Sequence, residues 1–317
     1  MTAALLTCGD PLRPRRPDPH FAEAATAART LGGDVALIDH EALERGHTKE
    51  AVARVPRGLG TLWYRGWMLS GHHYAALSAA LAERGGALAT DAEQYRRAHE
   101  LPGWYEVFAA ESPFSVWLPA VPGDLPAPAR LAELAAPLSP GPVIVKDYVK
   151  SRKHEWHEAC FVPDASDPER LASVVGRFLA LQADSLTGGI VLRAFEDFTG
   201  DEVRVWWIDG TPALTTAHPD AATPGPTPLP EPVLTRLTPL VRALACRFVT
   251  TDLALRSDGV WRVVEVGDGQ VSGLPAATDQ ERLLRPLLAA LNPRGPRDPD
   301  TSPPSGPAAQ GPCRQGA

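Results

Sequence analysis

No apolar run in this 317-residue chain approaches the roughly 20 residues of a membrane-spanning helix, so no membrane partner is expected. Nor is there an excess of positive charge. Thirty-one Lys and Arg stand against 38 Asp and Glu, a net charge of −7. That disfavours nucleic acid as a partner, because its phosphates call for a basic face. Cysteine is scarce, and Cys8, Cys160, Cys246 and Cys313 lie far apart. No metal or redox spacing arises from them, which points to reduced thiols in a cytoplasmic setting. The first residues lack the basic and apolar stretches of a signal peptide, and no internal repeat is visible. What is present is 44% apolar and 22% charged, the composition of a soluble globular protein. The length suits two domains of ordinary size.

The N-terminal part alternates strand and helix signals. Apolar strands are expected over 3–8, 34–38, 61–64 and 87–90. Between them, Asp18-Pro19 opens an Ala-rich helix, with Asp suited to the cap and Pro to the first helical position. Ser70 caps a second helix carrying Tyr74, Leu77 and Leu81 at helical spacing. This alternation predicts an α/β domain with a parallel sheet over residues 1–118. A Pro-rich stretch, 119–142, with a short helical piece at Leu131–Leu134, reads as a linker, and 219–232 as a surface loop. Residues 143–292 mix helices with hairpin signals, which predicts α+β with antiparallel sheets. From residue 293 on, Pro, Gly, Ser and charge predict a disordered tail.

Asp252 and Glu265 are the most informative pair. They lie in the apolar runs 248–255 and 260–266, joined by Asp258-Gly259, a dipeptide that favours a two-residue type I′ turn. Counting back from that turn places Asp252 opposite Glu265. Like charges directly across a sheet repel, and a divalent cation would offset them. Asp268, three residues further on, is a candidate third ligand. The alternative is two solvated carboxylates on an exposed face.

Cations accompany them. Lys146 and Lys150 share one face of a strand, with Lys153 following. Arg193 sits inside the apolar strand 190–195 and needs an anionic partner if buried. Glu202 and Arg204 share a strand face, where an ordinary surface ion pair is the plain reading. Asp209-Gly210 marks a second hairpin. Trp67 and Trp104 read as core residues, and no histidine is given a metal role.

The order of these features resembles the ATP-grasp superfamily: a Lys strand, a helix, an Arg strand, Glu-x-Arg before an Asp-Gly turn, a helix, then Asp and Glu-x-x-Asp on a hairpin. The wording Val145-Lys146-Asp147-Tyr148-Val149-Lys150-Ser151, Glu202-Val203-Arg204-Val205 and Glu265-Val266-Gly267-Asp268-Gly269-Gln270 is similar to the clade named for two arginines and a lysine. Tyr64-Arg65-Gly66-Trp67-Met68 looks like the leading domain of that clade.

The resemblance implies an N-terminal α/β domain followed by a two-lobed α+β ATP-grasp domain that holds ATP between antiparallel sheets. It implies that Lys146 and Lys150 contact phosphates, and that Ala194, Phe195 and Glu196 lie along adenine and ribose. Asp252, Glu265 and Asp268 would hold Mg²⁺. The position often filled by Asn in these enzymes is Gly267 here, so Asp268 would substitute. Arg204 and Arg193 would steady the transferring phosphoryl group or a substrate carboxylate, and Arg65 would grip substrate. The stretch after Lys146, residues 151–157, has no glycine and would cover phosphates through basic side chains.

The implied activity is an ADP-forming ligase that joins a small-molecule or peptide carboxylate to an amine or thiol through an acyl phosphate. Phosphoryl transfer needs mainly positioning and charge neutralisation, which this residue set offers. Two alternatives remain open, a phosphotransferase using the same ATP site and a nucleotide-binding module without catalysis.

Overall fold

Apolar strands separated by capped helices build the first layer. The structure, a computed structural model, describes residues 4–221 and 228–291. The expected tail and part of the 219–232 loop lie outside the described residues. The chain opens with β1 (Ala4–Asp10), β2 (Arg13–Pro17), α1 (Ala22–Thr30), β3 (Asp34–Ile38), α2 (His40–Glu44), α3 (Thr48–Ala51) and β4 (Gly60–Tyr64). It continues with α4 (Gly71–Ala82), β5 (Gly86–Leu88), α5 (Ala92–His99) and α6 (Leu101–Phe108). Strand β1 pairs in parallel with both β3 and β4, and β4 with β5. The end of β1 turns back on β2, a strand that Arg13, Arg15, Arg16 and two prolines conceal from any apolar pattern. Ser70 caps α4 by accepting from His73 N, and Asp91 forms a capping box with Gln94.

Next come β6 (Ser115–Pro119), α7 (Pro128–Ala135), β7 (Val143–Asp147), β8 (Phe161–Val162), α8 (Pro168–Gln182) and β9 (Gly189–Ala194). They form an antiparallel sheet in the order β6-β9-β7-β8. One face, with Val143, Val145, Ile190 and Leu192, packs on Leu171, Val175 and Phe178 of α8. Leu131 and Ala135 of α7 are buried in the same cluster. The stretch expected as a linker therefore contributes a helix to this core, and β6 pairs with β9 rather than joining the first sheet.

The last layer holds β10 (Phe198–Ile208), β11 (Thr211–Ala217), α9 (Glu231–Ala243), β12 (Phe248–Arg256), β13 (Trp261–Asp268) and α10 (Gln280–Ala289). Its antiparallel order is β11-β10-β12-β13. Asp209 and Gly210 both take positive φ, 47° and 71°, as a type I′ turn requires. The second hairpin differs from expectation. Only Gly259 has positive φ there, and Leu255 pairs with Trp261. The connection is a three-residue loop, 257–259. A bulge then leaves Val264 unpaired between Val263↔Leu253 and Glu265↔Asp252. The two shifts cancel, so Asp252 does face Glu265.

One face of this sheet, with Val203, Val205, Trp207 and Leu253, packs against α6 and α9. The other carries Trp206 and Phe248, which join Trp63 of β4 and Leu283 and Leu287 of α10 in a shared core. Trp63 Nε1 donates to Leu287 O at 2.7 Å, tying the first sheet to the last helix. Trp63→Phe keeps most of the ring and removes this donor. It should lower unfolding free energy by about 1–3 kcal/mol, read as a lower urea midpoint at unchanged slope.

Candidate active site between two antiparallel sheets

Alternation along the last sheet gathers charge on one face. Arg204 pairs with Asp252, and Asp252 with Glu265. Glu202, two residues before Arg204, points the same way, and His218 N bonds its carbonyl at 3.0 Å. Glu202, Arg204, Asp252 and Glu265 thus form a row across three strands, extended by His218 just beyond β11. Arg204 grips Asp252 with a bidentate pair, Nε to Oδ1 and Nη2 to Oδ2, both 2.7 Å. Its Nη1 donates to Gly273 O at 3.1 Å. Burial, together with Asp252 and Glu265, pushes the Glu202 carboxyl up to about 7.

The middle sheet opposes that row with cations. Ile144 and Ser115 both pair with Arg193, so Ile144, Lys146, Ser115 and Arg193 share a face. Arg193 donates from Nε to Ser115 Oγ at 3.2 Å and from Nη1 to Val264 O at 2.6 Å. That acceptor is the bulged residue, and the bulge turns its carbonyl towards the facing sheet. Among the described residues, Arg193 Nη2 is buried without a partner. Lys146 is 5% exposed and donates to Val149 O at 3.3 Å. Burial lowers the pKa of both cations, and Glu265 opposes that shift.

Between the sheets lies a cavity of about 240 Å³. Its charged lining is Lys146, Lys153, Arg193, Glu196, Glu202 and Glu265. Its apolar lining is Ile144, Trp156, Cys160, Ala194, Phe195 and Phe198. Trp156 stacks on Phe161 at 5.2 Å, and Phe195 sits edge-on to both rings. The glycine-free stretch folds as a 3₁₀ turn, Lys153–Glu155, followed by a π turn, Trp156–Cys160. Lys153 Nζ reaches Asp220 Oδ2 at 2.6 Å, joining the middle sheet to the segment after β11.

The structure thus brings together Lys146, Arg193, Ala194, Phe195 and Glu265 around one cavity. Arg204 and Asp252 lie buried in the adjacent row. Four expected residues are placed otherwise. Asp268 pairs with Val249, so it points to the opposite face from Glu265. There it is fully buried, accepting from Gln270 N and Gln270 Nε2. Lys150 is exposed and does not line the cavity, because β7 ends at Asp147, whose carboxylate turns the chain by accepting from Val149 N and Lys150 N. Arg65 Nη1 bonds the carbonyls of Gly269, Gln270 and Ser272 at 2.6, 3.2 and 2.9 Å. It clamps the loop after β13. Glu196 lines the cavity but is held by Arg256 and Arg262.

Glu202, His218 and Asp252 offer ligand atoms within 4.8 Å of one another. His218 Nδ1, however, accepts from Asp220 N at 3.1 Å. The neutral ring's proton then sits on Nε2, which faces Asp252 Oδ2 at 3.7 Å. A protonated nitrogen cannot ligate a metal. The oxygen donors on this face are therefore Glu202, Asp252 and Glu265. Glu202 was read as a surface partner of Arg204, yet its parity with Arg204 and Asp252 already placed it here. Lys153 and His218 meet the site through the turns they sit in, which no local pattern announces.

Residues 133–287 match the family model of an ATP-grasp domain, family 3 of the clade named for two arginines and a lysine. Solved structures agree at the level of fold. D-cycloserine synthetase DcsG aligns with a TM-score of 0.59 at 17% identity, covering 91% of this chain and 100% of that one. The ATP-grasp ligase PsnB, complexed with minimal precursor, Mg and ADP, gives 0.55 at 15% identity over 91% and 98%. D-alanine–D-alanine ligase from Bacillus anthracis, complexed with ATP, gives 0.57 at 15% over 92% and 97%. No curated protein matches the chain in sequence.

Burial pushes the Asp268 carboxyl up to about 7, against the attraction of Arg65. The folded state then holds this proton where the unfolded chain has released it. Stability from this group is full below about pH 4, where both states are protonated, and falls as pH rises towards 7. Asp268→Asn should flatten the fall in unfolding free energy between pH 5 and 8. Identical pH slopes for the two proteins would show that Asp268 is ionised in the fold.

Proposed function

Because this chain belongs to the ATP-grasp superfamily, we propose that it is an ATP- and Mg²⁺-dependent ligase that joins a carboxylate to an amine. The single observation that carries this is the cavity itself. Lys146 and Arg193 from one sheet face Glu202 and Glu265 from the other, with an apolar, aromatic lining beside them. A nucleotide is apolar at the base and strongly anionic at the phosphates, and the lining is divided in the same way. We read the two antiparallel sheets as the lobes of the ATP-grasp domain and the first, parallel sheet as the preceding domain.

In this reading Ala194, Phe195, Ile144 and Trp156 contact the base. Lys146 and Lys153 neutralise phosphate oxygens as point charges. Arg193 offers the unpartnered Nη2 to a phosphoryl or carboxylate oxygen. Glu202 and Asp252 offer carboxylate oxygens within 4.8 Å of each other, with Glu265 next in the row, and such oxygen donors are what Mg²⁺ prefers. The ion, when bound, would draw charge from the phosphate oxygens. Arg204 holds Asp252 in place rather than touching substrate. The carboxylate substrate would take the γ-phosphoryl group to give an acyl phosphate and ADP. The amine would then displace phosphate, forming the amide and releasing a proton.

Calorimetry on the native chain and on Glu265→Ala tests this. Micromolar ATP binding that requires Mg²⁺ and weakens in the variant is expected. Lys146→Ala should slow ADP release, with amino-acid and peptide acceptors, by on the order of 100-fold or more. Near-native turnover in Lys146→Ala, or no ATP binding by the folded native chain, would remove the reading.

A further inference from the structure

A second cavity lies in the first sheet, away from the nucleotide cleft. Strand β1 sits between β3 and β4, because the chain steps first to one side of β1 and then to the other. Such a reversal in an open α/β sheet leaves a crevice beyond the carboxyl ends of the strands, and ligands settle there. Here a cavity of about 430 Å³ opens at that place. Gly9 and Asp10 from the end of β1, Ile38 and Asp39 at the end of β3, and Trp67 and Met68 beyond β4 all line it. It shares no lining residue with the nucleotide cleft.

Its chemistry is one-sided. Asp10, Asp18, Asp39, Glu41 and Glu44 line it with one guanidinium, Arg54; Glu41 pairs with Arg45 and Glu44 lies against His40 Nε2, each at 3.4 Å. Asp39 Oδ1 caps α2 by accepting from Ala42 N at 2.9 Å. Asp10 Oδ1 accepts from Leu12 N and Arg13 N at 2.8 and 3.2 Å. Among the described residues, neither carboxylate has a hydrogen-bond donor on its second oxygen. His40, on the same wall, keeps Nδ1 buried without a partner.

The apolar part of the wall is equally specific. Trp67, expected in the core, is 38% exposed, and Met68 is 37% exposed. The indole is nonetheless fixed. Its Nε1 donates to Asp18 Oδ2 at 3.2 Å, and its ring packs on His20 and Phe21 at 4.6 and 5.0 Å. An immobilised indole beside Asp10 and Asp39, which have no ion-pair partner among the described residues, suits a cation carried on an apolar body.

We propose that this cavity binds an organic ammonium compound, with the ammonium between Asp10 and Asp39 and the apolar body against Trp67 and Met68. Binding here does not rest on the nucleotide reading. Phenethylamine and its uncharged counterpart 2-phenylethanol are the probes, titrated by calorimetry into the full native chain, Asp10→Asn and Asp39→Asn. Asn caps helices as well as Asp does, so Asp39→Asn retains α2, and thermal melting checks both folds. The expected result is amine binding at least tenfold tighter than alcohol binding, weakened at least tenfold in each variant at unchanged Tm. Absence of amine binding to the native chain, equal affinity for the alcohol, or undiminished amine affinity in both variants overturns the proposal. ATP affinity of the same variants should stay at the native value, which separates this site from the nucleotide cleft.

Discussion

Asp252 and Glu265 stand directly opposite each other, and the cleft is organised around offsetting that repulsion. Two unit charges about 4 Å apart cost roughly 4 kcal/mol at an effective dielectric near 20. Arg204 meets Asp252 from within the same sheet, and Lys146 and Arg193 act on Glu265 from the facing sheet. Burial, and after it Asp252 and Glu265, raise the Glu202 carboxyl against the attraction of Lys153 and Arg204. In the proposed reading this face takes one more cation. Removing Arg204 would leave the Asp252 carboxylate buried without its bidentate partner, which is costly, whereas Glu265 would keep one of its two cations after loss of Lys146 or Arg193.

Position is enforced from two sides. Arg193 holds the bulged carbonyl of Val264, one residue before Glu265. Arg65 holds three carbonyls of the loop that follows Asp268. The strand carrying Glu265 is therefore anchored to the middle sheet at one end and to the first sheet at the other. Trp206 lies under the guanidinium groups of both Arg65 and Arg204, at 5.6 and 6.0 Å. A movement of the first sheet would reach the carboxylate row through that indole. Asp268 belongs to this support and not to the row. Gln270 bonds it, and the same amide donates to Tyr74 Oη at 2.9 Å and accepts from Tyr64 N at 3.1 Å.

Much of this was legible because strand alternation is strict. The parallel sheet followed from apolar runs between capped helices, whereas the Asp252–Glu265 pairing was counted from a two-residue turn that is absent and holds because the bulge at Val264 offsets the longer loop. The same alternation was under-used elsewhere. Asp268 is three residues from Glu265, so on one strand it must face the other way. Glu202 is two residues from Arg204, so it must face the same way. Lys150 shares parity with Lys146 only while the strand continues, and Asp147 ends it. Other features depend on contacts distant in sequence. Lys153 meets Asp220 across 67 residues, and Arg65 meets Gly269 across 204. Nothing local to either residue encodes these partners. The helical piece at Leu131–Leu134 was legible, but the prolines around it suggested a connector, although Leu131 and Ala135 reach a core.

The hairpin between β12 and β13 has a consequence for how such a chain can change length. Its three-residue loop displaces the pairing by one, and the bulge at Val264 restores it before Asp252. Loop and bulge are nonetheless separable. Arg256 faces Val260 across the loop, so deleting one loop residue would leave a two-residue turn and every pairing beyond it, Asp252↔Glu265 included. Deleting Val264 would also keep Asp252 opposite Glu265, but it would withdraw the carbonyl that Arg193 holds. Length can thus change at the tip of this hairpin at little cost to the carboxylate row, whereas a change at the bulge would require a new partner for an arginine on another sheet.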